Sequence, residues 1–149
     1  MVELFFQLQQ DEDGWPPVAV EGLWCQSLDD GHFRVETCPL FVKNVSVGDV
    51  ITVQHDEQGE IVSHTLVTPS ENSTLWIIFW NDGGVEPTLQ KLRSLGCDTA
   101  TLEGYEPKLC SVNVASSIAM PDVDAVLAPL EEAKQIAVAY PSFRHDDGG

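Results

Sequence analysis

The chain has 149 residues, of which 43% are hydrophobic and 21% charged, a composition typical of a folded protein rather than a disordered one. Its 24 acidic and 7 basic residues give a net charge of −17. This charge argues against binding to nucleic acid or to an anionic membrane surface, because both present phosphate groups. It favours a basic protein as partner.

The first half of the sequence predicts a series of short β-strands. Asp29-Asp30-Gly31 is a hairpin signal, since Asp-Gly suits the backbone of tight turns. A second turn over residues 56–59 separates two more strands. The strands are expected over residues 2–8, 18–28, 32–37, 50–53 and 61–67. Short strands at this spacing predict a small barrel or a strongly bent sheet.

From about residue 72 the pattern alternates between strands and helices. Apolar runs predict strands over residues 74–80, 98–102, 109–115 and 136–143. Apolar residues at helical spacing predict helices over residues 85–95 and 122–135. Pro129 predicts a break or kink in the second helix, because proline lacks an N–H and its ring collides with the preceding turn.

The order strand, helix, strand, strand, helix, strand is that of a ferredoxin-like unit. The predicted fold is therefore α+β. A small β-barrel-like unit over residues 1–71 packs on a ferredoxin-like βαββαβ unit over residues 72–149, either as two parts or as one compact domain.

Four segments together resemble a family of small, acidic bacterial domains of unknown function. They are DEDGWPPV at 11–18, EGLW at 21–24, PLFVK at 39–43 and VSVGDV at 45–50. In the second half the Leu-Gly-Cys sequence at 95–97, which ends the first helix, fits the same pattern. The resemblance implies a bacterial, intracellular setting and a two-part fold. It identifies no catalytic residue.

The N-terminal segment lacks the basic stretch of a signal peptide, and no run approaches the ~20 apolar residues of a membrane-spanning helix. We therefore expect a cytoplasmic protein without a membrane partner. In that reducing compartment Cys25, Cys38, Cys97 and Cys110 are expected to be free, buried thiols.

Motifs for metal binding and catalysis are missing from the sequence. It contains no C-x-x-C, H-E-x-x-H, G-x-S-x-G or phosphate-binding glycine motif. A zinc site from Cys25, His32 and Cys38 across a hairpin is the one metal alternative, and packed thiols are the simpler interpretation. We predict a protein that is not an enzyme and that holds no metal or cofactor.

The negative charge is concentrated in the first half. Residues 1–71 hold 13 acidic and 2 basic residues, a net charge of −11, against −6 for residues 72–149. The acids cluster in three turns, and alternate turns of a small barrel gather at one end. We therefore predict one acidic rim that binds the partner, formed by Asp11, Glu12, Asp13, Trp15, Asp29, Asp30, Asp56 and Glu57.

Among the tryptophans, only Trp15 lies in a polar turn and is expected at an interface, where aromatic residues often anchor a partner. Trp24, Trp76 and Trp80 lie in apolar strands and are expected in the core. These features predict an acidic binding protein. Its most economical form is a bacterial immunity protein that neutralises a cognate toxin by covering a basic surface or cleft. The alternative is a small ligand-binding or regulatory module built on the ferredoxin-like unit.

Overall fold

The structure is a computed structural model, and it describes residues 1–14, 16, 18–80, 82–102 and 108–145. The chain divides into two compact units, Met1–Ser70 and Glu71–Gly149. In the part of the chain that the structure describes, no helix is long and apolar enough to cross a membrane.

The N-terminal unit is a closed barrel of five strands. In chain order they are β1 (Val2–Gln7), β2 (Val20–Ser27), β3 (Phe33–Val35), β4 (Val50–His55) and β5 (Ile61–Thr68). Each strand pairs with the next in antiparallel fashion. The barrel closes where β5 runs parallel to β1, at the pair Phe6–Ile61. The small barrel expected from the strand spacing is confirmed.

Alternation along the strands builds the core of this unit. Phe6 on β1 and Leu23 on β2 point inward and are 3% and 0% exposed. Such period-2 patterning is typical of strands with one buried face. The core residues are Phe6, Leu23, Cys25, Val35, Val42, Val45, Ile51 and Ile61.

The Asp29-Asp30-Gly31 hairpin connects β2 and β3 as a single turn of 3₁₀ helix. Asp30 and Gly31 have φ angles of 64° and 76°, in the left-handed region. Aspartate and glycine adopt this region more readily than other residues, so the sequence signal and the backbone agree.

The C-terminal unit contains a four-stranded sheet and two helices. In chain order these are β6 (Ser73–Phe79), α1 (Val85–Ser94), β7 (Asp98–Leu102), β8 (Lys108–Val114), α2 (Met120–Glu132) and β9 (Ile136–Ser142). The strand order is β7-β8-β6-β9, with antiparallel pairing throughout. The whole chain is therefore an α+β protein.

Strand β6 is an interior strand of the sheet, between β8 and β9, and each of its seven residues is buried or half-buried. On α1, Leu89 and Leu92 are 1% and 0% exposed, which confirms the stripe predicted from helical spacing. One core cluster joins strands and helices, with Leu75, Ile77, Phe79, Leu89, Leu92, Val112, Val114, Val123 and Leu127 among its members.

Helix α2 shows no break at Pro129, since it continues to Glu132. The proline falls in the last helical turn, and the residue whose carbonyl loses its partner, Ala125, is exposed. The helix ends at Glu132, and Lys134, two residues later, has a left-handed φ of 59°. A proline so close to a helix end removes one hydrogen bond without ending the helix early.

Candidate protein-binding surface

The strand directions divide the three acidic turns between opposite ends of the strands. Strands β2 and β4 both run antiparallel to β3, so the turns after them, at 29–30 and 56–57, leave the same end. The turn at 11–13 follows β1, which runs antiparallel to β2, and leaves the other end. The single rim predicted from the sequence is therefore not formed. In such a barrel only alternate connections lie at the same end. Residues 11–13 lie in the first connection, whereas 29–30 and 56–57 lie in the second and fourth.

Most of the acidic turn residues face solvent. Asp11, Glu12, Asp13, Asp29, Asp30 and Glu57 are exposed. Asp56 is half-buried, and its Oδ1 accepts the backbone N–H groups of Gln58 and Glu60, both at 2.9 Å. Asp56 thus shapes its own turn, as aspartate commonly does. Trp15, the predicted anchor, lies outside the described residues.

The outer face of β1 and β2 carries a group of exposed apolar side chains. Phe5, Trp24 and Val20 are 53%, 47% and 39% exposed, and we call these three the aromatic patch. They belong together because Phe5 lies directly opposite Gly22, between Val20 and Trp24 on β2. Neighbours diagonal to one another on adjacent strands lie within reach of aromatic side chains.

The expectation that the strand tryptophans lie in the core is wrong for two of them. Trp24 is exposed, and Trp80, just beyond β6, is 58% exposed. Trp76 is half-buried. Trp24 stands between Leu23 and Cys25, which both point inward and are fully buried, so the pleat turns Trp24 outward. The alternation of inward and outward residues along β2 is therefore the sequence feature from which the exposed patch could have been predicted.

The aromatic patch lies in a strongly negative region. Strands β1, β2 and β5 contain no lysine or arginine. Arg34 on β3 is paired with Glu36 at 2.9 Å, and the other basic residue of this unit is the exposed Lys43. Glu3, also exposed, lies opposite Trp24. The N-terminal unit thus combines an exposed apolar patch, a feature that marks interaction sites, with few basic side chains.

Two acids of this unit are buried and serve the fold. Glu21 accepts the backbone N–H groups of Leu40, Phe41 and Val42 at 2.6, 2.9 and 2.9 Å. Burial raises the pKa of Glu21, and these three hydrogen bonds partly oppose the shift. Asp49 accepts the N–H groups of Ser46 and Ser70 at 2.9 and 2.8 Å. Neither carboxylate is available to a partner.

All four cysteines are buried, and none of them forms a disulfide bond. Burial, with a smaller effect of Glu36, raises the pKa of the Cys25 thiol to about 11. Burial and Asp98 raise that of Cys97 to about 11. Such thiols stay protonated near neutral pH and are poor nucleophiles. Within the described ranges no three His, Cys, Asp or Glu side chains are grouped to hold a metal ion.

The C-terminal unit contains a Ser–His pair that the sequence does not predict, because the two residues lie 72 positions apart. Ser73 Oγ lies 2.6 Å from His145 Nδ1 and accepts the backbone N–H groups of Arg144 and His145. His145 Nε2 lies 3.1 and 3.0 Å from the carbonyl oxygens of Ala115 and Ile118. Because Ser73 is completely buried, its hydroxyl holds the C-terminal segment in place and cannot reach a substrate.

A groove of about 1020 Å³ lies next to this pair in the C-terminal unit. Its lining mixes apolar and polar side chains. Tyr140 and Phe143 form an edge-to-face pair there, with ring centres 5.7 Å apart. Other lining residues include Ile118, Met120, Asp124, Arg144 and His145. The volume is near the upper end for small-molecule sites, which span about 300–1,000 Å³.

The fold and these surfaces define a small two-unit protein that carries a negatively charged barrel. The chain belongs to the DUF4265 family, a domain of unknown function, whose family model matches residues 21–138. This confirms the resemblance to a family of small domains of unknown function.

Among solved structures, the chain is similar to a crystal structure of a hypothetical protein from Neisseria gonorrhoeae. The two share 19% sequence identity over 96% of each chain, with a TM-score of 0.74. At this identity the likeness shows the fold alone. No curated protein matches the chain.

Proposed function

We propose that the protein is a non-enzymatic binding protein that takes up a basic partner on its N-terminal unit. The observation that carries this proposal is the aromatic patch of Phe5, Val20 and Trp24, exposed in the half of the chain with net charge −11. Aromatic side chains supply much of the binding energy at protein interfaces. The surrounding acids select for a positively charged surface.

The partner we propose is a bacterial toxin that acts in the cytoplasm, with this protein as its immunity protein. Toxins that attack nucleic acids or nucleotide-bearing targets present basic clefts to their substrates. An acidic inhibitor competes for such a cleft by offering carboxylates where phosphates would bind. Electrostatic steering raises association rates to ~10⁸–10⁹ M⁻¹s⁻¹ at low salt, which suits rapid neutralisation.

Affinity capture followed by inhibition tests this function. The tagged full chain is used to capture proteins from a lysate of the source organism at low and high salt. The proposal requires a basic protein whose toxic activity is lost when it is mixed with purified chain, and whose association slows as salt rises. The proposal fails if the captured proteins are acidic. It also fails if a captured toxin stays active when the purified chain is present at a saturating concentration.

The groove beside Tyr140 and Phe143 favours a second candidate, a small-ligand or regulatory module. We infer that the C-terminal unit is ferredoxin-like, which its element order and its strand order β7-β8-β6-β9 support. Thermal denaturation in the presence of a metabolite library tests this candidate. A ligand that stabilises the wild type, but not Phe143→Ala, would favour it over partner binding.

A further inference from the structure

Gly22 leaves a gap in the outer face of β2 that two side chains of β1 occupy. A Cβ atom placed on Gly22 would lie 2.6 Å from Glu3 Oε2 and 3.1 Å from Phe5 Cε1. Both distances are shorter than ordinary van der Waals contact. The Glu3 carboxylate and the edge of the Phe5 ring therefore rest directly over the Gly22 backbone.

Trp24 completes the surroundings of this carboxylate. It lies directly opposite Glu3 in the β1–β2 ladder, where facing Cβ atoms are about 4.5–5.5 Å apart. Glu3 thus has two exposed aromatic neighbours on the outer face: Phe5, 53% exposed, which meets the carboxylate over Gly22, and Trp24, 47% exposed, at the opposite position of the ladder. The ion pairs found among the described residues, Arg34–Glu36 and Arg93–Glu86, do not include Glu3.

We propose that Glu3, Phe5 and Trp24 form a binding site for an arginine side chain of the basic partner. This inference rests on the proposed function and specifies how that partner is recognised. A guanidinium group is planar, donates paired hydrogen bonds to a carboxylate and stacks on aromatic rings. A lysine ammonium supplies only a point charge and lacks the planar face.

Glycine at position 22 is part of the site, because any larger residue displaces the carboxylate. The Gly22 backbone has no positive φ, so alanine fits the strand, but its methyl group must push Glu3 Oε2 away. Gly84 provides the matched control, since a Cβ atom there meets no atom within 4 Å. The pair Gly22→Ala and Gly84→Ala thus separates loss of the site from the general effect of an added methyl group.

The test is a nuclear magnetic resonance titration of the full chain with blocked peptides of alternating glycine and arginine. Peptides with lysine or with neutral citrulline in place of arginine are the comparison. We expect saturable shifts of the Trp24 indole N–H and the Gly22 amide, a preference for arginine over lysine, and no binding of citrulline. Trp24→Ala and Glu3→Gln should each lower the affinity about tenfold, as loss of a cation–π contact or a charged hydrogen bond does.

The control Trp80→Ala should leave the affinity unchanged, because Trp80, 58% exposed against 47% for Trp24, lies just beyond β6 and not on β1 or β2. Gly22→Ala should remove the preference for arginine, while Gly84→Ala keeps it. Equal peptide affinity for wild type, Trp24→Ala and Gly22→Ala would overturn the site. If the chemical shift of the Trp24 indole N–H instead changes with protein concentration in the absence of peptide, this face binds a second copy of the chain. That result would also overturn the arginine site.

The outcomes for this site and for the proposed function are separable. If a toxin is captured and inhibited equally by wild type, Trp24→Ala and Gly22→Ala, the function stands and the arginine site falls. If arginine peptides bind as expected and the captured proteins are acidic, the site stands and the proposed function falls.

Discussion

Glu21 and Trp24 lie three positions apart on β2 and point to opposite faces of the barrel wall. Glu21 points inward, is 9% exposed and accepts three backbone N–H groups from the segment 40–42. Trp24 points outward and is 47% exposed. One short strand therefore supplies both a buried contact that shapes the fold and an exposed side chain of the candidate binding surface.

Replacing Glu21 with alanine should destabilise the protein without touching the outer face. The change leaves the N–H groups of Leu40, Phe41 and Val42, which are part-buried or buried, without their Glu21 acceptor. We expect a loss of about 2–4 kcal/mol in the free energy of unfolding, measured by urea denaturation. The exposed Glu12→Ala is the control and should change it by less than about 0.5 kcal/mol. A similar small effect for both variants would contradict the role given to Glu21.

Stability should also depend on the ionisation of Glu21. Burial raises its folded-state pKa above the ordinary 4.5, so the folded protein holds this proton more tightly than the unfolded chain does. The resulting contribution to stability is fully present below pH 4.5 and is lost as the pH rises through the folded pKa. Glu21→Gln cannot titrate. The free energy of unfolding of wild type minus that of Glu21→Gln should therefore be largest at or below pH 4.5 and decrease as the pH rises. A difference that grows with pH would show a lowered pKa instead.

The thiols should be unreactive in the folded protein. Cys25 and Cys97 have pKa values raised to about 11 by burial, and Cys38 and Cys110 are buried as well. With a disulfide-exchange reagent at pH 8, we expect negligible labelling of the native chain and four reactive thiols after unfolding in urea. Rapid labelling of a native thiol would place that cysteine at an accessible site.

The two ends of the barrel strands should contribute unequally to partner association. Glu3 is the second residue of β1 and pairs with Trp24, so these two lie closer to the strand end that carries Asp29 and Glu57 than Phe5 and Val20 do. Reversing those two charges with Asp29→Lys and Glu57→Lys should slow association at low salt by about three- to tenfold.

The control is the double substitution Glu12→Lys and Asp13→Lys at the opposite strand end, which changes the net charge by the same amount. It should slow association less than Asp29→Lys with Glu57→Lys does. Stopped-flow association rates across a salt series measure both. Equal slowing by the two pairs would show that total charge, and not the location of the acids, controls association.

Much of the fold was predictable because its elements carry strong local patterns. The Asp-Gly turn at 30–31, the stripe of Leu89 and Leu92 and the apolar run of β6 each satisfy one periodicity or turn rule. The continuation of α2 past Pro129 was not predictable, because the free-energy cost of a proline in a helix depends on its distance from the helix end.

The candidate surface was harder to predict than the fold. Trp24 has apolar neighbours in sequence, and only the inward direction of Leu23 and Cys25 reveals that it faces outward. The grouping of the acidic turns depends on strand direction around the whole barrel. The hydrogen bonds of Glu21 join residues about twenty positions apart, and no local pattern encodes them.

Amide hydrogen exchange of the full chain, alone and with its captured basic partner, tests the central claim most directly. Binding on the outer face of the barrel predicts slower exchange in β1 (Val2–Gln7) and β2 (Val20–Ser27) of the complex, with unchanged exchange in α1 and α2. Protection confined to the C-terminal unit, with β1 and β2 exchanging as in the free chain, would contradict it.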